Sequence, residues 1–324
     1  MTHVTHGQRH KELVMAIAIT SLIAMAALYL PGLGLLVGVF IPIPVLFYRS
    51  KLGRSRGAMI LIATTLIIAS TMHWRSVPFT VFFFEMGLVG FILSEIFEMN
   101  LSVEKTVAAT TGVIVATWGL MWALYELLSA NSLWGLMSNY LTKNFELALA
   151  MYREMEVSEE KINILAQSME GILYVVLRTM PAIVIASTLF VVWSNILLAR
   201  PLLRSKQLFC PDFGALNEWK APEQLVWLVI GSGVLLLVPR GGPRLLGLNV
   251  LIIMTTIYFF QGIAIVSFYF EKKRVPRMLR GILYCLIAIQ QLLLLLVAAV
   301  GLFDMWADFR RIKKRSGELN ESNT

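Results

Sequence analysis

Glu85 stands inside an unbroken apolar run, Phe82-Phe83-Phe84-Glu85-Met86, near the middle of a stretch long enough to cross a bilayer. A charged carboxylate at that depth costs several kcal/mol, so it must face a bundle interior, find a partner or stay protonated. This makes Glu85 the first candidate for contact with a ligand or a proton, against a plainer role as a neutral acid hydrogen-bonded between helices. Arg178 precedes the apolar run Met180–Leu198, and Pro181 just after it allows a bend or a helix start. There its guanidinium either holds an anionic group at a cavity mouth or snorkels to the interface. Gln261 lies beside Gly262, and Gln290 with Gln291 interrupts a run of Leu, Ile and Ala. Amides in hydrocarbon pair across helices for about 0.6–2 kcal/mol, or they touch a substrate. Glu85, Arg178, Gln261 and Gln290 are therefore the candidate ligand-binding residues. Glu95 and Glu98, three apart on one helical face close to a span end, are expected to be solvated at the interface.

Other chemistries find less support. His3, His6 and His10 have a spacing that can share a helical face and a metal, but no Cys or carboxylate completes a ligand set. Gly32, Gly34 and Gly38, then Gly231 and Gly233, lack the strand-loop-helix context and the Lys-Ser/Thr of a phosphate loop, so close helix packing is the better reading. Cys210 and Cys285 define neither a disulfide framework nor a metal site. There is no Ser/His/Asp, HExxH or paired-cysteine arrangement. No catalytic residue, metal or cofactor is expected, and the chain is not expected to be an enzyme.

The elements that must position these residues follow from hydropathy. Of 324 residues, 57% are hydrophobic and only 15% charged, against about 25% charged in an ordinary soluble domain. A hydrocarbon core of roughly 30 Å needs about 20 apolar residues as helix, and only helices or closed barrels satisfy their own backbone there. Strand-like alternation is absent, so the fold class is all-α, a polytopic transmembrane helix bundle. Nine candidate spans can be drawn: 13–30, 33–48, 57–72, 77–97, 106–128, 172–198, 224–238, 246–270 and 282–303. The seventh is short and carries Gly231 and Gly233, which favours a re-entrant or tilted segment and leaves eight crossings as the alternative. The first run follows Arg9 and Lys11 like a signal peptide, yet a second span follows Pro31-Gly32 at once, which predicts a retained helix.

The net charge of +8 reflects topology rather than nucleic-acid binding, because the basic residues gather at span ends. Arg49, Lys51, Arg54 and Arg56, then Arg200, Arg204, Lys206 and Lys220, then Lys272, Lys273, Arg274, Arg277 and Arg280 fall on one side; Arg75, Lys143, Arg153, Lys161, Arg178, Arg240 and Arg244 fall on the other. The bias predicts a cytoplasmic N-terminus. Nine crossings then strand the tail Arg310, Arg311, Lys313, Lys314 and Arg315 outside, against the same rule.

The organisation read from this pattern is a cytoplasmic tail 1–12, a first transmembrane bundle 13–128, a non-membrane insertion 129–171, a second bundle 172–309 and a basic, polar tail 310–324. In the insertion Leu133, Met137, Tyr140, Asn144, Leu147 and Met151 recur at helical spacing, which predicts an amphipathic helix. Ser158 before Glu159, Glu160 and Lys161 reads as a helix start with acids in the first turn. A helical hairpin serving as a surface connector is the expectation, with a lid over a cavity as the alternative.

Three phrases of the C-terminal third carry a resemblance: Asn217-Glu218-Trp219-Lys220-Ala221-Pro222-Glu223, then Gln261-Gly262-Ile263-Ala264, then Gly301-Leu302-Phe303-Asp304-Met305-Trp306-Ala307-Asp308-Phe309-Arg310. Together they resemble the YybS-like family of bacterial inner-membrane proteins, a domain of unknown function. The resemblance implies a multi-pass protein of the bacterial inner membrane and makes Trp219, Pro222, Gly262, Asp304, Trp306, Asp308 and Arg310 family-motif positions of structural weight. The N-terminal spans, with Ile41-Pro42-Ile43-Pro44, look distantly like the substrate-binding subunits of energy-coupling-factor transporters and like the cell-shape protein MreD. No binding residue is carried over from either.

Read physically, Asp304, Asp308, Arg310 and Arg311 leave the membrane close together, which predicts an ion-pair cluster closing the bundle. The functional expectation is a small-molecule transporter or substrate-binding membrane subunit. The alternative is a non-catalytic membrane scaffold that engages envelope or cytoplasmic proteins through basic loops such as Lys272–Arg280. The partners expected are the lipid bilayer and a membrane or cytoplasmic protein, with no nucleic acid.

Overall fold

The computed structural model describes residues 6–30, 34–71, 77–129, 132–155, 157–239 and 241–310. His3, Gly32, Arg75, Arg240 and the basic tail Arg311–Arg315 lie outside the described residues. Regular structure among the described residues is helical, as the fold class requires: α1 His6–Tyr29, α2 Gly34–Gly38, α3 Pro42–Leu52, α4 Arg54–Thr71, α5 Val77–Glu98, α6 Val103–Leu128, α7 Leu133–Glu154, α8 Glu159–Ser205, α9 Leu225–Leu236, α10 Gly242–Lys272, α11 Arg277–Ile289 and α12 Gln291–Ala307, with a 3-10 turn at Leu216–Glu218.

The count of eight to nine spans is not reproduced. Five described helices are long and apolar enough to cross a bilayer, or six if the bent pair α11 and α12 is counted as one span. Three of the four losses have local causes. The second predicted span is broken between α2 and α3, because Pro42 and Pro44 offer no N–H and make Pro42 a helix start. The seventh becomes α9, whose 12 residues are about 18 Å long, short of a bilayer. The ninth bends by 101° between α11 and α12, where Gln290 takes the extended values φ −89° and ψ 107°. In the opposite sense, α8 runs unbroken for 47 residues through Gly171 and Pro181.

The chain divides into two compact units. The first takes Met1–Thr117 and Ser187–Gly214. There α1, α3, α4 and α5 pack on one another around Ala16, Val45, Tyr48 and Ile60, flanked by Leu13, Ile17, Phe47, Leu52 and Phe91. Gly90 lies against the Pro42 carbonyl and Gly87 against Leu61. The break before α3 leaves the Val39 carbonyl without a helical partner, and Asn195 Nδ2 donates to it at 2.9 Å. Irregular backbone is tolerated at membrane depth when protein satisfies it in this way.

The second unit takes Trp118–Ala186 and Ala215–Thr324. Its centre is α10, packed on α9 and α12 over Ala221, Met254 and Tyr258. The seam of α10 and α12 is set by two glycines: Gly262 lies against the Val297 carbonyl and Gly301 against the Tyr258 carbonyl. Each carbonyl is four residues before the partner's glycine. A Cβ at either position meets backbone oxygen, which cannot move aside as a side-chain end can. Gly262→Val is accordingly expected to cost about 3 kcal/mol, the upper end for overpacking, read as a lower unfolding temperature of the purified protein. Helix α7 lies where the sequence predicts an amphipathic helix, buries Leu149 and leaves Tyr140, Leu147 and Met151 exposed.

Candidate functional site

Glu85 falls on the inner face of α5 with Val89 and Leu93, and its own exposure is 0%. Thr117 Oγ1 of α6 lies 3.1 Å from Glu85 Oε2 and 2.7 Å from the Ile114 carbonyl. A hydroxyl owns one hydrogen, so both contacts become hydrogen bonds only when the carboxyl supplies the second. The other carboxyl oxygen, Oε1, is buried and has no hydrogen-bond partner among the described residues.

Thr117 ends a threonine stripe along α6. Thr106, Thr110 and Thr117, at i, i+4 and i+11, share one side of the helix, and Thr106 and Thr110 are fully buried. Thr110 Oγ1 donates to the Thr106 carbonyl at 2.8 Å, while the Thr106 and Thr111 hydroxyls have no partner among the described residues. In the same unit the Ser21 and Thr64 hydroxyls are likewise buried and without a partner among the described residues. The sequence reading missed these residues. Threonines at helical spacing within an apolar span were the available signal.

The second polar centre of this unit was also unforeseen. Arg49, read as a loop residue, is the last turn of α3 and only 2% exposed. Its guanidinium pairs with both Glu95 and Glu98, donates from Nε to Glu95 Oε1 at 2.9 Å and reaches the Ser94 carbonyl from Nη1 at 3.3 Å. Arg54 adds a longer contact to Glu95 at 3.5 Å. Burial pulls the Arg49 pKa down, but the hydrogen bonds it donates to Glu98 and Glu95 outweigh it and the net displacement is upward, so the charge is fixed at every ordinary pH. Glu95 and Glu98 are thus paired rather than merely solvated. Gly57 makes room for the arginine stem: a Cβ there would lie 2.7 Å from Arg49 Cβ.

In the second unit the three C-terminal phrases converge. Gln261 Oε1 accepts from the Ala221 N–H at 3.1 Å, and its Nε2 donates to Asp304 Oδ2 at 3.3 Å. Asp304 Oδ2 also receives Arg310 Nη2 at 2.8 Å, and both side chains are fully buried. Asp304 Oδ1 accepts the Phe309 N–H at 2.9 Å. Arg310 Nη1 donates to the carbonyls of Asn217 at 2.8 Å and Trp219 at 3.0 Å. Lys220 pairs with Asp308 at 2.6 Å, and Asp308 adopts the left-handed φ of 40° that ends α12. Pro222 follows the satisfied Ala221 and is exposed, as is Trp306. Gln261 is therefore committed to internal bonds that seat the 217–221 loop on α10 and α12.

The remaining candidates are dispersed. Arg178 is exposed on α8, within 5.9 Å of the Trp134 ring and 5.5 Å of the Tyr174 ring. Gln290 is exposed at the bend before α12. Cys210 and Cys285 are free thiols; burial pushes the Cys210 thiol up, against the opposing pull of Arg204 and Arg200. Among the described residues no three His, Cys, Asp or Glu side chains are placed to hold a metal ion.

Comparison with known proteins bears on the same residues. A family model described as "Predicted membrane protein (DUF2232)" matches residues 18–305, a range that contains Arg49, Glu85, Gln261 and Asp304. No curated protein and no solved structure matches the chain. The expected membrane-protein family is met by this match. The likeness to energy-coupling-factor subunits and to MreD rests on the sequence pattern that suggested it.

Proposed function

The chain belongs to the DUF2232 family of predicted membrane proteins, and with a bilayer as its medium we propose that it is a non-catalytic, substrate-capturing or transporting membrane protein that binds a small polar solute inside its first unit. The observation that carries this reading is Glu85 Oε1, an acid oxygen wholly buried within the first unit with no hydrogen-bond partner among the described residues. Leaving such an acceptor unmet costs about 1–3 kcal/mol, and a solute that donates a hydrogen bond removes that cost. The buried hydroxyls of Thr106 and Thr111, likewise without partners among the described residues, extend the same capacity along α6. The solute class this favours is a small amine, amide or polyol. We place the protein in the bacterial inner membrane with a cytoplasmic N-terminus, on the bias of its basic loops, and a protein partner that energises uptake fits this role.

The test is thermal unfolding of the purified chain against a panel of amines, amino acids, amides and polyols. At least one compound is expected to raise the wild-type midpoint. Glu85→Gln keeps the volume and the contact to Thr117, so it folds normally, and its affinity for that compound falls about tenfold, a change of about 1.4 kcal/mol. A panel without any shift, or equal shifts in both proteins, overturns the assignment.

A further inference from the structure

The helices α11 and α12 do not continue one another across the bilayer. Gly262 lies on the Val297 carbonyl and Gly301 on the Tyr258 carbonyl, and the bonds along this seam give α10 and α12 the same direction: Gln261 meets Asp304 and, further on in both helices, Tyr269 meets Phe309. The side-chain bonds agree: Tyr269 Oη donates to the Phe309 carbonyl at 2.8 Å. Asn217 donates to Glu271 at 2.5 Å while its own carbonyl accepts from Arg310 at 2.8 Å. The C-terminal ends of α10 and α12 therefore lie together. The chain leaves α10 at Lys272 and, after α11 and α12, returns to the same level.

The start of α11 is pinned there as well. Arg280 donates to the Val275 carbonyl at 2.7 Å and to the Phe270 carbonyl at 3.2 Å, and the Tyr284 ring packs edge-on against Phe270 at 5.4 Å. The 13 residues of α11 and 17 of α12 measure about 20 and 25 Å. Both fall short of the roughly 30 Å hydrocarbon core.

We propose that α11 and α12 form a re-entrant hairpin that enters and leaves the bilayer on the face bearing Lys272–Arg280 and exposes Gln290–Gln291 to an aqueous vestibule at membrane depth. Non-helical backbone in the bilayer persists only where protein buries it or water reaches it. Gln290 bonds its own N–H to the Leu286 carbonyl at 2.9 Å and its carbonyl to the Leu294 N–H at 3.1 Å, whereas the side-chain amides of Gln290 and Gln291 are exposed; at membrane depth such amides need a polar partner, and water supplies it. The arrangement also removes a conflict in the charge pattern. A ninth through-going span sends the end of α12 and Arg310 to the face opposite Lys272–Arg280, whereas a hairpin places Arg310 on the face of Lys272–Arg280, as the bias of positive residues toward one side requires. The face reached by the end of α12 follows from packing, not from counting spans.

The experiment uses the full chain with Cys210 and Cys285 replaced by Ser and a single cysteine introduced by Arg274→Cys, Gln290→Cys or Ser316→Cys, in sealed right-side-out and inside-out vesicles. A charged, membrane-impermeant thiol reagent is expected to modify the Arg274→Cys and Ser316→Cys proteins in the same vesicle orientation, and to reach the Gln290→Cys protein too. Modification of the first two from opposite faces overturns the hairpin. A Gln290→Cys protein that resists the charged reagent yet reacts with a permeant maleimide overturns the vestibule. Size-exclusion profiles matching the cysteine-free parent establish that each variant is folded.

Discussion

Asp304→Ala is expected to lower the stability of the second unit by about 3–5 kcal/mol, the range for breaking a buried ion pair by removing one partner. Arg310 is left fully buried with only the carbonyls of Asn217 and Trp219 as acceptors, and the Phe309 N–H and Gln261 Nε2 lose theirs. The midpoint of thermal unfolding and the monodisperse yield from membranes both fall. Asp304→Asn retains an oxygen for Phe309 but not the charge, so it falls between. Removing the charge at both ends in an Asp304→Leu, Arg310→Met protein recovers only part of the loss, because Arg310 also ties down the 217–219 backbone. Lys220→Ala supplies the contrast. Its pair with Asp308 is partly exposed and is worth about 1 kcal/mol or less. An Asp304→Ala protein that unfolds with the wild type would show that the network adds nothing to the fold.

Much of this arrangement was legible. Apolar runs of span length locate α1, α5, α6, α8 and α10 because hydropathy is what a bilayer selects, and Asp304 and Arg310 form the expected closing cluster. Where the reading fell short, the deciding interactions were between segments far apart in sequence. Pro42 announces a helix start, but only Asn195, more than 150 residues on, makes the broken backbone before it tolerable. The apolar run 282–303 contains no Pro or Gly at its break. The bend at Gln290 follows from the tie of Arg280 to the end of α10 and the fit of Gly301 on Tyr258, neither of which hydropathy registers. Glu85 was found by the cost of its charge. Thr117 was not, since its hydroxyl meets the Ile114 carbonyl of its own helix and leaves no polar gap in the pattern.

Arg49 shows the same blindness at higher energetic stake, because a basic residue after an apolar run is ordinarily a topology marker. Its guanidinium instead holds α3 to α5 through two carboxylates and a backbone carbonyl. Arg49→Met keeps the stem that packs on Gly57 but leaves Glu95, whose side chain is 20% exposed, without its main counter-charge; Glu98, at 62%, turns to solvent. The expected loss is about 3 kcal/mol, the lower end for stranding a buried partner. Arg49→Lys recovers little, since an ammonium cannot reproduce the fork that meets Glu95 and Glu98 together. Glu95→Gln in the Arg49→Met background removes the stranded charge and restores a measurable share, so the cycle yields a coupling above about 1 kcal/mol. Additive losses in that cycle would mean that Arg49 contributes its aliphatic stem alone. Gly57→Ala then becomes the more damaging change, because its Cβ strikes the stem from the α4 side.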